Sequence, residues 1–447
     1  MEDKVRKKYL KRKNKRPFCG KKNKKHLISI LIASYLFSGT ASACSAFIVP
    51  VHSSSASNSP IKNVIGVRTM DFEEGLSNPL VYGKVKDNNV STVDTSYGKA
   101  ATGAISNPAK WTNAYQFIGK GMTEGRAIEG INNAGVYVGG LYLPNITSYP
   151  RYNAELNKPA LGVFDIVNYI LGTSGSVQQA LDNLSKVQVV LSTIRVSETG
   201  KYLNKVFPLH FFIADKTGHT AVIEFIAGRM SVSSQSTFVM TNSPDIRFQE
   251  QNYADLVEKS QFKASNKPVQ IDGMYMNGSG YLGLPGDSTP PSRFERITTM
   301  LKAVPVAYKD NQANYVADMV RDGATLIPVG FNPSPTLWAT KYNLATGSYD
   351  VTNYIELAAE GRFLVTPENV SFYHHSYNVN NIDVDIAKDP EAFTHAVLTA
   401  SKYPLSEDSA AKILKDAKPT SGSTPYNYQF GISTRDPAQV KDAYVGL

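Results

Sequence analysis

After residue 43 the chain contains a single cysteine, Cys44, so whatever it folds into has no internal disulfide and must rest on a hydrophobic core. With 42% hydrophobic residues over 447 positions, such a core is available, and disordered, collagen-like and disulfide-stapled classes are excluded. The other cysteine, Cys19, belongs to a basic leader. Residues 1–26 carry 13 Lys/Arg against 2 acidic residues, which accounts for the whole positive balance of +9. Residues 27–447 hold 34 basic and 36 acidic side chains, a slightly acidic body that argues against binding to nucleic acid.

The leader continues with the uncharged run Leu27–Phe37 and closes on Ala41-Ser42-Ala43. A basic start, an apolar run of eleven residues and small side chains at 41 and 43 describe a secretory signal peptide over residues 1–43. The run is short of the roughly 18–20 apolar residues that a permanent membrane helix needs, so no stable span is expected after cleavage. The chain is accordingly expected to be exported, to the periplasm or outside the cell. Cleavage after Ala43 makes Cys44 the first residue of the mature chain. A lone cysteine there is either lipidated or catalytic. The lipidated reading wants Leu three positions earlier, where this chain has Ala41.

The mature chain reads as an α+β domain over residues 44–372. His210–Asp215, Thr220–Phe225 and Met230–Val232 are β-prone runs separated by turn residues, an antiparallel meander. Ser176 with Gln179 reads as a capping box opening a helix with Val177, Ala180, Leu181 and Leu184 on one face. Ser292 with Glu295 reads as a second one, placing Arg293 in a first helical turn, where a cation opposes the helix dipole. From residue 373 to 447 the character changes to Asn/Asp-rich, helical and then Pro/Ser/Gly/Thr-rich sequence, a C-terminal extension with no legible role.

Common catalytic and cofactor motifs are missing. There is no Gly-x-Ser-x-Gly elbow, no His-Glu-x-x-His, no phosphate-binding loop and no Cys-x-x-Cys. Gly119-Lys120-Gly121 with Gly125 has the wrong spacing for a dinucleotide fingerprint, and seven scattered histidines make no metal site. No cofactor is expected. What remains is Cys44, whose own α-amino group, with a pKa near 7.7–8.0, can take the thiol proton without any histidine. Such a site needs a cation beside the thiolate and a carboxylate for the amine. Arg68 and Asp71 are the first candidates, although three positions apart on one strand they point to opposite faces unless the strand ends or bends near Met70. A structural ion pair is the other reading of the two.

Cys44 followed by Gly66-Val-Arg68-Thr-Met-Asp71-Phe72-Glu73 resembles the opening of the choloylglycine hydrolase family, the bile salt hydrolases and penicillin V acylases. Further matches follow in family order: Glu129–Gly135 leading to Gly140-Leu-Tyr142-Leu-Pro144, Pro208–His210 with Ala214–Gly218, Met240-Thr-Asn242-Ser-Pro244, Gly283–Asp287 with Ser292-Arg293-Phe294, and Thr336-Leu-Trp338. The resemblance implies an N-terminal-nucleophile hydrolase, with an αββα four-layer sandwich of two antiparallel sheets flanked by helices. It implies Cys44 as nucleophile and base, Arg68 beside the thiolate, Asp71 on the α-amine, Asn242 as an oxyanion donor and Arg293 completing the polar network. Tyr142 falls at a substrate-binding position where many bile salt hydrolases have Asn and penicillin V acylases often have Tyr. The implied reaction is hydrolysis of a linear amide in a small molecule, a conjugated bile acid or a penicillin V-type acyl amide. An N-acyl-homoserine lactone acylase acting through the same site and a non-enzymatic Cys44-lipidated surface protein are the alternatives. Family members are often homotetramers, and Asp245–Tyr281 resembles the segment they use for assembly.

Overall fold

A computed structural model describes residues 44–72, 79–93, 107–123, 125–150, 152–192, 194–198, 201–205, 207–234, 238–259, 269–276, 284–326, 335–354 and 373–398. The expected leader lies outside them, as do residues 399–447.

Two sheets dominate. In chain order their strands are β1 (Ser45–His52), β2 (Ile61–Asp71), β3 (Leu80–Gly83), β4 (Phe117–Thr123), β5 (Arg126–Asn132), β6 (Val136–Tyr142), β7 (Leu209–Asp215), β8 (Thr220–Ile226), β9 (Arg229–Ser234), β10 (Val239–Met240), β11 (Thr336–Asn343), β12 (Ser348–Asn353), β13 (Tyr373–Asn378) and β14 (Phe393–His395). The first sheet runs β10-β1-β2-β11-β12-β13 and the second β9-β8-β7-β6-β5-β4-β3-β14. All these pairings are antiparallel except that of β14 with β3. The principal helices are α1 (Ile166–Thr173), α2 (Val177–Leu184), α3 (Ile246–Lys259), α4 (Pro290–Ala303), α5 (Asp310–Ala324) and α6 (Ile382–Lys388).

Strands β5 to β8 are buried almost throughout, because each sheet has one face against the other sheet and one against helices. Helix α1 packs on β5 and β6, while α4 and α5 pack on β1 and β2. Between the sheets, Tyr137 of β6 stacks on Tyr342 of β11 at 4.2 Å between ring centres, and Arg68 of β2 meets Glu129 of β5. The order helix, sheet, sheet, helix is the expected αββα sandwich.

The expected meander is present as β7-β8-β9. Helix α2 starts where the capping pattern put it: the Ser176 hydroxyl accepts from the Gln179 N–H, and Val177, Ala180 and Leu184 are buried. Several motif residues serve the frame. Asp215 accepts from the backbone N–H of Val177 and of Thr217, tying the start of α2 to the turn after β7. Asn132 donates to the carbonyls of Leu171 and Ser174 and accepts from the N–H of Ala134 and Val136, joining the end of α1 to the β5–β6 turn. Gly119 sits mid-strand against Gly130, where a Cβ collides with the Glu129 carbonyl, so its reason is close backbone approach and not phosphate binding.

Three expectations change. Helix α4 begins at Pro290, not after Ser292: two prolines fit the first helical positions, whose N–H groups need no intrahelical partner, and Thr289 is the N-cap. Ser292 is therefore inside the helix, its hydroxyl donating to Asp287. Strand β2 ends one residue past Met70, at Asp71, and Arg68 and Asp71 nonetheless stay on opposite faces of it. The irregularity is in its neighbour, where β11 shifts register between Thr336 and Trp338 opposite the Met70–Asp71 step. Finally, the expected extension supplies edges to both sheets through residue 395: β13 closes the first and β14 the second. Within 245–281, the hairpin Val269–Ile271/Met274–Met276 presents Met274 and Tyr275 to solvent.

Candidate active site

Cys44 immediately precedes β1, and the strand pairing continues it towards Met70 at the end of β2. Its sulfur is buried, 3.5 Å from Met70 Sδ and 3.9 Å from the Asp71 carbonyl oxygen. Alternation along β2 sends Arg68 and Met70 to the face between the sheets and Asp71 to the other. The site uses both faces. From between the sheets, Arg68 Nη2 reaches to 4.0 Å from Cys44 Sγ while donating to the Gly140 carbonyl at 3.0 Å and contacting Met70 Sδ at 3.2 Å. From the helix layer, Arg293 Nη1 donates to the Cys44 carbonyl at 2.6 Å and to Ser45 Oγ at 2.5 Å. Arg293 sits in the first turns of α4, whose side chains lean towards the helix start, and its Nε donates back to the Ser288 carbonyl at 3.1 Å. The unfavourable dipole position is thus occupied by a fully buried guanidinium with four acceptors.

Arg293 also orients Asn242. Its Nη2 donates to Asn242 Oδ1 at 3.0 Å, which turns Nδ2 towards the Tyr142 carbonyl, 2.7 Å away. The Asn242 backbone is pinned by Gln249, whose amide donates to the carbonyls of Asn242 and Pro244 and accepts from Thr241 Oγ1. Glu224 accepts from the Ile246 N–H at the start of α3 and meets His210 Nδ1 at 3.1 Å. Neither Gln249 nor Glu224 has a motif that sequence reading would single out; both are polar residues that become informative only through their burial. Tyr142 is half-buried, its ring edge-on to Phe72 at 6.4 Å; Phe72 in turn packs against Phe207 at 5.9 Å. Tyr142, Phe72 and Phe207 form an aromatic wall tied to the network through the Tyr142 carbonyl.

All six sequence candidates, Cys44, Arg68, Asp71, Tyr142, Asn242 and Arg293, lie in this network. Asp71 is fully buried; Oδ1 accepts from Thr336 Oγ1 at 2.5 Å and Oδ2 has no hydrogen-bond partner among the described residues. Burial pushes its carboxyl up to about 7, against the pull of Arg293. Burial also raises the Cys44 thiol, opposed first by Arg68. For Arg68, burial works against the charge, but Glu129, Cys44, Tyr137 and Tyr349 together outweigh it and hold the guanidinium protonated. Burial lowers Arg293 to about 10, against Asp71.

The Asp71 shift has a measurable consequence for the full 447-residue chain. A carboxyl raised from 3.8 to about 7 favours the folded state fully below the unfolded value and loses that contribution as pH rises through about 7. Urea midpoints of the full chain should therefore drop as pH rises from 5 to 8, and Asp71→Asn should flatten that part of the dependence. An unchanged slope in Asp71→Asn would show that Asp71 is not the group responsible.

No group of three or more His, Cys, Asp or Glu side chains able to hold a metal occurs among the described residues, and no described helix is long and apolar enough to cross a membrane. Residues 55–320 match the model of the linear amide C–N hydrolases, choloylglycine hydrolase family. The chain belongs to the choloylglycine hydrolase family. Arg68, Asp71, Tyr142, Asn242 and Arg293 fall inside the matched span, and Cys44 lies ahead of it. Among choloylglycine hydrolase relatives, the bile salt hydrolase/transferase of Lactiplantibacillus plantarum is 30% identical over 171 residues, 38% of this chain and 50% of that one. The penicillin V acylase of Pectobacterium atrosepticum is 25% identical over 212 residues, 46% of this chain and 50% of that one. The chain thus spans half the length of each of these curated relatives. A crystal structure of a variant of conjugated bile acid hydrolase from Clostridium perfringens superposes with a TM-score of 0.56 at 18% identity, covering 76% of this chain and 93% of that one, a likeness of fold.

Proposed function

We propose that this protein hydrolyses linear amides with the Cys44 thiolate, after export removes residues 1–43 and frees the cysteine's α-amino group. The observation that carries the reading is the convergence of Arg68 and Arg293, from opposite faces of one sheet, on the residue that opens β1. The α-amine, partly neutral near its pKa of about 7.7–8.0, takes the thiol proton. A guanidinium 4.0 Å from the sulfur favours the thiolate against its burial. The thiolate adds to the substrate carbonyl. Asn242 Nδ2, with one N–H on the Tyr142 carbonyl and a second to spare, is the side-chain donor for the oxyanion. Collapse of the adduct expels the amine, which takes a proton from the ammonium, and water then releases the acyl group from sulfur. Asp71 Oδ2 is the acceptor for the amine of Cys44.

The Tyr142–Phe72 wall suits an apolar or aromatic acyl group, in keeping with the conjugated bile acids and penicillin V named for the relatives. Burial of the sulfur among Met70, Asp71 and Arg68 disfavours a lipidated Cys44. Intact mass of the exported protein is expected to place Cys44 first and unmodified, and the same preparation should release free amine from glyco- or tauro-conjugates, penicillin V or an acyl-homoserine lactone. A different first residue, a diacylglyceryl adduct or silence across that panel would overturn the reading.

A further inference from the structure

Behind Cys44 and Arg68, between the sheets, lies a buried carboxylate to which the proposed reaction gives no part. Glu129 of β5 is completely buried and fully engaged: Oε1 accepts from Arg68 Nη1 at 3.2 Å and Trp338 Nε1 at 2.9 Å, and Oε2 accepts from Thr340 Oγ1 at 2.7 Å. Two of these donors, Trp338 and Thr340, come from β11 in the opposite sheet, so the carboxylate has no freedom to follow a moving guanidinium. The Trp338 ring is flanked by two cations, Arg68 Cζ at 5.7 Å and Lys120 Nζ at 5.2 Å from its centre. The other ionisable groups that interact with Glu129 are Lys120 of β4, its cross-strand neighbour, Tyr137 of β6, Tyr342 of β11 and Tyr349 of β12.

A guanidinium is planar and rigid. Anchoring Nη1 on Glu129 and Nη2 on the Gly140 carbonyl fixes its plane, and with it the 4.0 Å separation between Nη2 and Cys44 Sγ. We propose that Glu129 is a positioning residue for the reaction, setting the ionisation of Cys44 by holding Arg68 at the sulfur. This rests on the reading of Cys44 as nucleophile. Among the charges acting on the thiol, Arg68 has the largest influence, so a displacement of its guanidinium is felt directly as a loss of thiolate.

The test uses the full chain expressed with its leader and purified as the processed protein. The rate of Cys44 alkylation by iodoacetamide is followed against pH, a readout that needs no substrate, beside kcat, KM and the thermal midpoint. Glu129→Asp keeps the charge but withdraws the acceptor by one methylene. It should move the alkylation midpoint up by about one pH unit, roughly a tenfold loss of thiolate at neutral pH, and lower kcat about as much with KM little changed. Glu129→Gln keeps an oxygen for Arg68 and Trp338 and should restore most of the parental profile. A pure structural ion pair predicts a lower thermal midpoint with the parental alkylation profile in both variants, and that result overturns the proposal. An alkylation shift in a protein that cleaves no amide sinks the amidase reading while the positioning role stands; an active parent whose variants show no shift sinks the positioning role alone.

Discussion

Replacing Cys44 by serine is expected to abolish amide hydrolysis, a fall in kcat of at least about a thousandfold, in a protein that still folds. A hydroxyl has nearly the shape of the thiol, and the sulfur's close neighbours, Met70 Sδ and the Asp71 carbonyl, lose little; the change in unfolding free energy should stay within about 1 kcal/mol. The chemistry is far less forgiving. An amine with a pKa near 8 can deprotonate a thiol appreciably but not an alcohol, and Arg68 at 4.0 Å has no thiolate to favour. Progress curves on the panel of amides, together with urea unfolding, check both halves. Activity retained at the parental rate would remove Cys44 from the reaction.

Arg293→Ala is expected to act on activity and stability together. The substitution withdraws donors from Cys44 O, Ser45 Oγ, Asn242 Oδ1 and Ser288 O, and it leaves Asp71 buried without the cation that most opposes its protonation. Breaking one side of such a buried network typically costs about 3–5 kcal/mol. In the fraction that folds, kcat should fall at least a hundredfold, because Asn242 loses the contact that turns its Nδ2 towards the site. Arg293→Lys should recover little, since an ammonium cannot serve four separated acceptors. Urea unfolding and kcat measured on active-site-titrated protein test this; parental values for both would reduce Arg293 to a filler of the α4–β1 contact.

The site was legible where its residues stand in short, ordered motifs. Cys44, Arg68, Asp71, Tyr142, Asn242 and Arg293 all carry motif context, and all six lie in the one network that surrounds Cys44. Glu129 opened a quoted motif yet had no role, because a glutamate followed by Gly-Ile-Asn says nothing of burial; only the second sheet brings Arg68, Trp338 and Thr340 to it. Gln249 and Glu224 had no local signal. The start of α4 was misplaced because Ser292 with Glu295 imitates a capping box, whereas the prolines before it set the helix boundary. The boundary at residue 373 followed a change in composition, yet strands β13 and β14 beyond it pair with the sheets, since backbone hydrogen bonding is indifferent to composition.

By itself the sequence determined what lies within a few residues of a given position: strand and helix periodicity, the absence of any disulfide after residue 43, and a cysteine that follows a basic and then an uncharged stretch. Only the packed structure decided how Arg68 and Asp71, on opposite faces of β2, both come to lie beside Cys44. Alternation along a strand is a local rule that separates them, and it holds. What unites them is that Cys44 stands at the end of the neighbouring strand, where one side chain arrives from the space between the sheets and Arg293 arrives from the helix layer, a meeting of groups more than two hundred positions apart that no local pattern encodes.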